Sequence, residues 1–503
     1  MMRLMTMIAL AGLLSPPPVA PPARAVTPSL PMCRRAAAIP ALPPEAAPAP
    51  PQKLGHVPHP VIDAPGVPAP PPPPPPAPPP PPPPASEEAG ADVVVTGSAT
   101  RPSPVAEAPS PMVATEDADS SLRAGSAFAR RTPSQRTPRA GLLTAGEHDD
   151  LLNPELYAAY VDRFLAAEPL AGVPRVDTRR VLTVAVRDGA GRPVPFAPVT
   201  LTCADGNTLT LATVADGTAV FFPGLDRLGP TVRVGVPGAT PRRVDLSGDG
   251  AVTQAIALAR PATGARALDL ALVLDATGSM GDEIAYLQAE LRAILTRVRA
   301  SHPGVSLRVA LIAYRDEGDE YVTRTYRFTD DLARLQRDLA QQAADGGGDE
   351  PEAVEQGLAR AAALDWRAEA VKSLLWVADA PPHADDVVAS WHATEALRAQ
   401  RVQVVPVASS DTNPGAEYLM RAAAAATQSR YLFLTDDSGI GNPHAPPAID
   451  CYAVTSLADA VRRVLDAQLS GRRIEPAPGE VIRTVGTYDA GRCVLPSGFG
   501  RRQ

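Results

Sequence analysis

Of the chain's 60 prolines, 37 fall within residues 1–140, and Pro70–Pro84 is proline at every position but Ala77. Aromatic residues run the other way: of 21, only Phe128 precedes residue 141. A stretch so rich in proline and so poor in large apolar side chains cannot bury enough surface to offset the entropy of ordering it. Residues 26–140 therefore read as a disordered spacer. The 15-residue proline run favours polyproline II at about 3.1 Å per residue, a stiff rod of roughly 45 Å. The other 363 of the 503 residues suffice for one medium domain and one small one.

Residues 1–25 have the order of a secretory signal peptide. Met1–Arg3 starts positively, Leu4–Leu14 is apolar, and Ala23-Arg24-Ala25 supplies small residues for cleavage. The mature chain is thus expected outside the cytoplasm, periplasmic or secreted. No apolar run approaches the roughly 20 residues of a membrane span, so no transmembrane segment is expected there. A net charge of −8, without a Lys/Arg run, argues against a nucleic-acid partner. Of the four cysteines, Cys33 falls in the proline-rich part and Cys203 in an expected strand. Cys451 and Cys493 flank the last helical segment and are the candidate disulfide, stapling down a tail over 472–503. No CxxC or Cys/His cluster occurs, which argues against structural zinc.

Asn153-Pro154 reads as an N-cap with proline at the first helical position. Leu156, Tyr157, Tyr160, Val161, Phe164 and Leu165 then share one face. This helix, within 146–170, is too short to persist alone and must dock on a neighbour. Residues 176–260 switch to period two. Val181–Val186, Val199–Thr202, Ala219–Phe222 and Thr231–Val236 are separated by Asp-Gly turns, the pattern of an all-β sandwich. Val186–Val199 resembles the opening hairpin of carboxypeptidase-regulatory-like sandwiches, which implies a structural or adhesive spacer.

From Leu268 apolar strands alternate with amphipathic helices, the mark of a doubly wound, mostly parallel sheet. The expected fold class is therefore multidomain: a long disordered proline-rich N-terminal region, an all-β sandwich, and a doubly wound α/β domain over 266–471. Ligands in such sheets sit beyond the carboxyl ends of the strands, at the switch point. Asp275 ends the first strand and Asp379 the fourth. Asp275, Thr277 and Ser279 are spaced two apart in one turn, so their oxygens can converge while Asp379 arrives from a neighbouring strand. Only oxygens are offered, which selects Mg²⁺, Mn²⁺ or Ca²⁺ over zinc or copper. Two carboxylates balance a divalent cation and leave it able to accept one more anionic oxygen from outside.

Asp275-Ala276-Thr277-Gly278-Ser279 resembles the Asp-x-Ser/Thr-x-Ser motif of von Willebrand factor type A domains and their metal-ion-dependent adhesion site. Val377–Pro382 resembles the family's second aspartate loop. The resemblance implies a cation, Mg²⁺ first with Mn²⁺ and Ca²⁺ as alternatives, and a protein partner that presents a carboxylate. The family's middle-loop threonine is missing from Gly346–Glu352. Asp349 is the best substitute there, its other reading being an N-cap for the next helix. Asp282 and Glu283 match in position the adjacent metal site of integrin β chains, although acids in a first helical turn also complement the helix dipole. His383 and His392 read as surface histidines.

The leading function is an exported, metal-dependent protein-binding or adhesion module. A second is an envelope-structural or assembly scaffold with no metal-mediated ligand. A metal-dependent hydrolase ranks below both, and the chain is read as a non-enzyme. Gly278-Ser279-Met280-Gly281 is not a nucleophile elbow, no Walker A or GxGxxG loop occurs, and Lys372 is the only lysine after residue 140.

Overall fold

The computed structural model describes residues 31–36, 38–39, 42–43, 45, 143–168, 172–348, 350–409, 411–439 and 443–494. The signal peptide and the polyproline run lie outside the described residues, as does Asp349.

Cys33 departs from its expectation. It is buried and bonded to Cys203, with Cα atoms 5.8 Å apart, a separation normal for a disulfide. Its N–H donates to Arg227 O (3.1 Å) and that of Arg34 to Asp226 O (2.9 Å). A 170-residue separation hid this pairing, because spacing alone does not give connectivity.

Strand β1 (Thr144–His148) is a second departure, since the sequence Thr-Ala-Gly-Glu-His shows no apolar alternation. Every residue of it is buried, and its carboxylate is held by distant partners: Glu147 accepts from Arg430 (3.0 Å) and Arg463 (3.1 Å). A Cβ at Gly146 would overlap the Phe433 ring, so that position requires glycine. Helix α1 (Pro154–Ala167) follows. Its aromatic face docks as expected: Phe164 stacks on Tyr418 at 4.5 Å, and the Arg421 guanidinium lies 3.9 Å from the Tyr160 centroid. Asn153, however, makes no capping bond. Its amide donates to Asp149 O and Gly491 O, and its carbonyl accepts from Cys493 N, so it ties the helix start to the C-terminal segment.

Residues 182–258 form two small sheets. One contains β2 (Leu182–Asp188), β5 (Thr218–Phe221) and β8 (Val252–Leu258), in the order β5-β2-β8. The other contains β3 (Pro198–Thr202), β4 (Thr208–Ala212), β6 (Thr231–Gly235) and β7 (Arg242–Asp245), in the order β4-β3-β6-β7. Alternate residues such as Leu182, Val184, Val199, Leu201, Phe221 and Val234 enter one shared core.

The larger sheet adds to β1 the strands β9 (Ala267–Asp275), β10 (Ser306–Tyr314), β11 (Thr323–Thr329), β12 (Val371–Ala378), β13 (Val402–Ala408), β14 (Tyr431–Thr435), β15 (Tyr452–Ser456) and β16 (Arg483–Val485). Their order is β11-β10-β9-β12-β13-β14-β1-β15-β16. Strands β10, β9, β12, β13 and β14 are mutually parallel, while β11 and β1 join antiparallel. Strand β9 is buried on both faces, Ala271 and Val273 toward one core and Leu270, Leu272 and Leu274 toward the other. That is why it reads as a nearly continuous apolar run, interrupted at Asp269. Helices α2 (Gly281–Ser301), α3 (Leu332–Ala340) and α7 (Leu457–Ser470) cover the leucine face; α4 (Val354–Ala362), α5 (Val387–Ala399) and α6 (Pro414–Ala426) cover the other, with α1.

The small sheets and the large one are fastened together. Phe222 and Leu225 join the core under α5. Asp226 accepts from Arg398 of α5 at 2.7 and 2.9 Å, and Arg34 reaches Glu395 of the same helix at 2.8 Å. At the far end Cys451 and Cys493 are bonded, with Cα atoms 5.6 Å apart.

Candidate functional site

From β9 the chain leads to β10 on one side and then to β12 on the other, so the switch point lies between the carboxyl ends of β9 and β12. Asp275 is the last residue of β9 and Asp379 the first after β12. A cleft of about 340 Å³ opens there, walled by Thr277, Ser279, Gly347, Glu352, Asp379 and Asp411. Asp275 lies beneath it, fully buried.

The turn after β9 organises itself. Asp275 Oδ1 accepts from the Thr277 N–H (3.0 Å) and hydroxyl (2.7 Å), which bends the chain sharply into α2. Ser279 hydrogen-bonds Asp379. Oxygens remain that these bonds do not use. Asp275 Oδ2, Asp379 Oδ1 and Glu352 Oε2 are all buried and without a hydrogen-bond partner of good geometry among the described residues, the buried Tyr314 hydroxyl lying beside the Asp275 carboxyl.

The electrostatics point the same way. Burial, and then the charge of Asp379, push the Asp275 carboxyl up to about 7. Burial also raises Asp379, against the opposing bond from Ser279. Glu352 is pushed up to about 9 by burial, then by Asp275 and Asp316. Buried carboxylates without positive compensation are costly. The nearby Arg315 makes no hydrogen bond to them; its guanidinium donates to Ala276 O (3.1 Å) and Ala343 O (2.9 Å). A divalent cation fits this donor set of hard oxygens. Among the described residues no three His, Cys, Asp or Glu side chains form a group that could hold a metal ion.

The structure thus brings Asp275, Thr277, Ser279 and Asp379 together. Asp282 and Glu283 do not line the cleft; Glu283 instead faces Tyr286, Leu375, Val377 and Leu457. His383 is no free surface histidine, since its Nε2 lies 2.7 Å from Asp316 Oδ1. Glu352 is the residue that sequence reasoning missed. It sits just ahead of α4, where an acid reads as a helix start, yet Ala353 occupies the cap and no side chain caps that helix. The glycine run was the available signal: Gly347 has φ +67°, and a Cβ on it would approach Glu352 Oε1 to 2.9 Å.

Residues 269–441, about a third of the chain, match the sequence model of the von Willebrand factor A domain. The ariadne-like RING finger protein R811 of Acanthamoeba polyphaga mimivirus is 38% identical over 122 residues, 23% of this chain and 11% of that protein. The alpha-protein kinase vwkA of Dictyostelium discoideum is 25% identical over 120 residues, 24% of this chain and 19% of the kinase. The chain therefore spans only about a tenth and a fifth of these relatives. Among solved structures, the open pilus adhesin SpaC from Lactobacillus rhamnosus GG aligns with 14% identity and a TM-score of 0.30, covering 42% of this chain and 30% of the adhesin. The conserved hypothetical protein BatB from Bacteroides thetaiotaomicron aligns with 11% identity and a TM-score of 0.27, covering 40% and 98%. The family match thus falls on residues 269–441, the part of the chain that holds strands β9 to β14 and the cleft between Asp275 and Asp379.

Proposed function

We propose that this protein is an exported, metal-dependent protein-binding module. Asp275, Thr277, Ser279 and Asp379 hold one divalent cation at the rim of the large sheet, and the loop between α3 and α4 completes the set, through Asp349 on the sequence reading. The bound cation supplies a Lewis-acidic position open to a carboxylate of a partner protein. The chain's own residues orient it: Asp275 fixes Thr277, and Ser279 fixes Asp379.

One observation carries this reading: the buried, unpartnered oxygens of Asp275 and Asp379 at the ends of adjacent parallel strands. Uncompensated, two such groups work against folding; around a cation they are complementary. Export is supported by the two disulfides, which persist in oxidising compartments. We read the two small sheets as a carboxypeptidase-regulatory-like spacer and residues 1–25 as a signal peptide. No enzymatic role is proposed.

The test is a pull-down with the full chain as bait, with Mg²⁺ and with EDTA. Capture that requires the ion and disappears in Asp275→Ala supports the reading. A partner held equally in EDTA contradicts it. A rise in melting temperature with Mg²⁺ but no ion-dependent partner favours the scaffold alternative.

A further inference from the structure

We infer that the pocket between the small sheets and the end of α7 is a second binding site, which takes the carboxyl end of a short aliphatic peptide. It lies at the amino ends of β13 and β14, on the opposite edge of the large sheet from Asp275 and Asp379. It therefore works without the cation and stands apart from the reading above.

The pocket encloses about 360 Å³, within the range of small-ligand sites, which form preferentially where domains meet. Three parts of the chain wall it: the turn Val214–Asp216 with β5, the residues that open β13 and β14, and the last turns of α7. The wall is firmly built. A Cβ on Gly471 would meet Ala215 O at 2.5 Å, so the turn of the small sheets rests directly on the end of α7. Gln428 adopts φ +57°, an unfavourable conformation for a residue with a side chain. Its amide accepts from Val220 N at 3.0 Å and donates to Thr218 Oγ1 at 3.0 Å, which locks β5 against the large sheet.

Two polar side chains in this wall have no role in the fold. Gln468 and Ser429 are both more than nine-tenths buried. The amide nitrogen and oxygen of Gln468 and the hydroxyl of Ser429 have no hydrogen-bond partner among the described residues. Buried polar groups left unpaired are costly. The last side-chain torsion of glutamine is soft, so the amide can turn to a ligand that supplies both a donor and an acceptor. A peptide group does both.

Charge and wall chemistry narrow the ligand further. Arg430 is engaged by Glu147, Arg473 by Asp149, and Asp216 by the N–H and hydroxyl of Thr218. Arg472 is exposed at the pocket and has no partner among the described residues, so it offers a guanidinium to one carboxylate. Leu151, Val220 and Val464 make the wall aliphatic, and no aromatic ring is among its described residues, so a nucleobase finds no stacking face. An aliphatic side chain, an amide and one carboxylate together describe the end of a peptide.

The test is calorimetric titration of the full chain in EDTA, where no cation can hold a carboxylate, with N-acetyl-alanyl-leucine and with its carboxamide. The free acid is expected to bind saturably, and the carboxamide about threefold more weakly, the scale of one exposed ion pair. Gln468→Leu should weaken both by about tenfold, whereas Arg472→Gln should weaken only the acid, to the level of the carboxamide. A small carrier protein extended by Ala-Leu distinguishes the sources: competition with the acid admits the carboxyl end of a protein, and its absence restricts the site to free peptides. The inference is overturned if the acid shows no saturable binding, if acid and carboxamide bind alike, or if Gln468→Leu binds as wild type does. Should Gln468→Leu fail to fold, Arg472→Gln at its exposed position still decides the matter.

Discussion

Asp379 acts on Asp275 across the ends of adjacent parallel strands, and its charge adds to burial in raising the Asp275 carboxyl to about 7. A carboxyl whose folded pKa lies above its ordinary value of 3.8 favours the folded state in acid. That contribution fades as pH rises from about 4 to 7. Without a cation, Asp275 should therefore cost roughly 2–3 kcal/mol of stability between pH 5 and 7.5. Burial depresses His148, and its effect runs the other way, so the comparison is made against Asp275→Asn. Urea unfolding in EDTA at both pH values should show the asparagine variant losing less than wild type. Excess cation should remove the wild-type loss.

The buried carboxylate of β1 invites a stability measurement. Glu147 is held by Arg430 and Arg463, which are themselves buried. Its removal leaves Arg430 without its carboxylate and Arg463 with Glu480 alone. Glu147→Ala should destabilise by about 3–5 kcal/mol, because breaking a buried pair strands its partners. Urea denaturation reads this directly; a change below about 1 kcal/mol would mean that the network is solvated.

Both ends of the proline-rich segment are attached to folded structure, through the Cys33–Cys203 bond on one side and β1 on the other. A site-specific protease sequence inserted between residues 46 and 142 should give, after cleavage, one band on a non-reducing gel and two on a reducing gel. Replacing Cys33 and Cys203 together by serine should cost about 2–4 kcal/mol and yield two bands under both conditions.

Gly146 is a packing test of the inserted strand. Gly146→Ala drives a methyl group into the Phe433 ring, which itself packs edge-on against Tyr452 at 4.8 Å. Overpacking of this kind should destabilise by about 1–3 kcal/mol. A melting temperature equal to wild type would show that the ring moves aside freely.

Much of the α/β domain and of its site was legible because the information is local. Leu268–Leu274 announces a strand buried on both faces, and Asp275, Thr277 and Ser279 lie within five residues of each other. What stayed hidden depends on partners distant in sequence. Strand β1 is polar in sequence and buried only because Arg430 and Arg463 meet Glu147. Cys33 looked unstructured because its partner is Cys203. Asn153 looked like a cap but bonds to Cys493. Glu352 looked like the acidic start of a helix, and only the left-handed turn at Gly347 and the bridge to Pro382 bring it to the cleft.

Mn²⁺ titration of the ion-free full chain, followed by electron paramagnetic resonance of the free ion, tests the central claim most directly. One Mn²⁺ should disappear per chain in wild type and none in Asp275→Ala or Asp379→Ala. Free Mn²⁺ that stays undiminished by wild type, or uptake that is equal in the alanine variants, would contradict a cation held between the ends of β9 and β12.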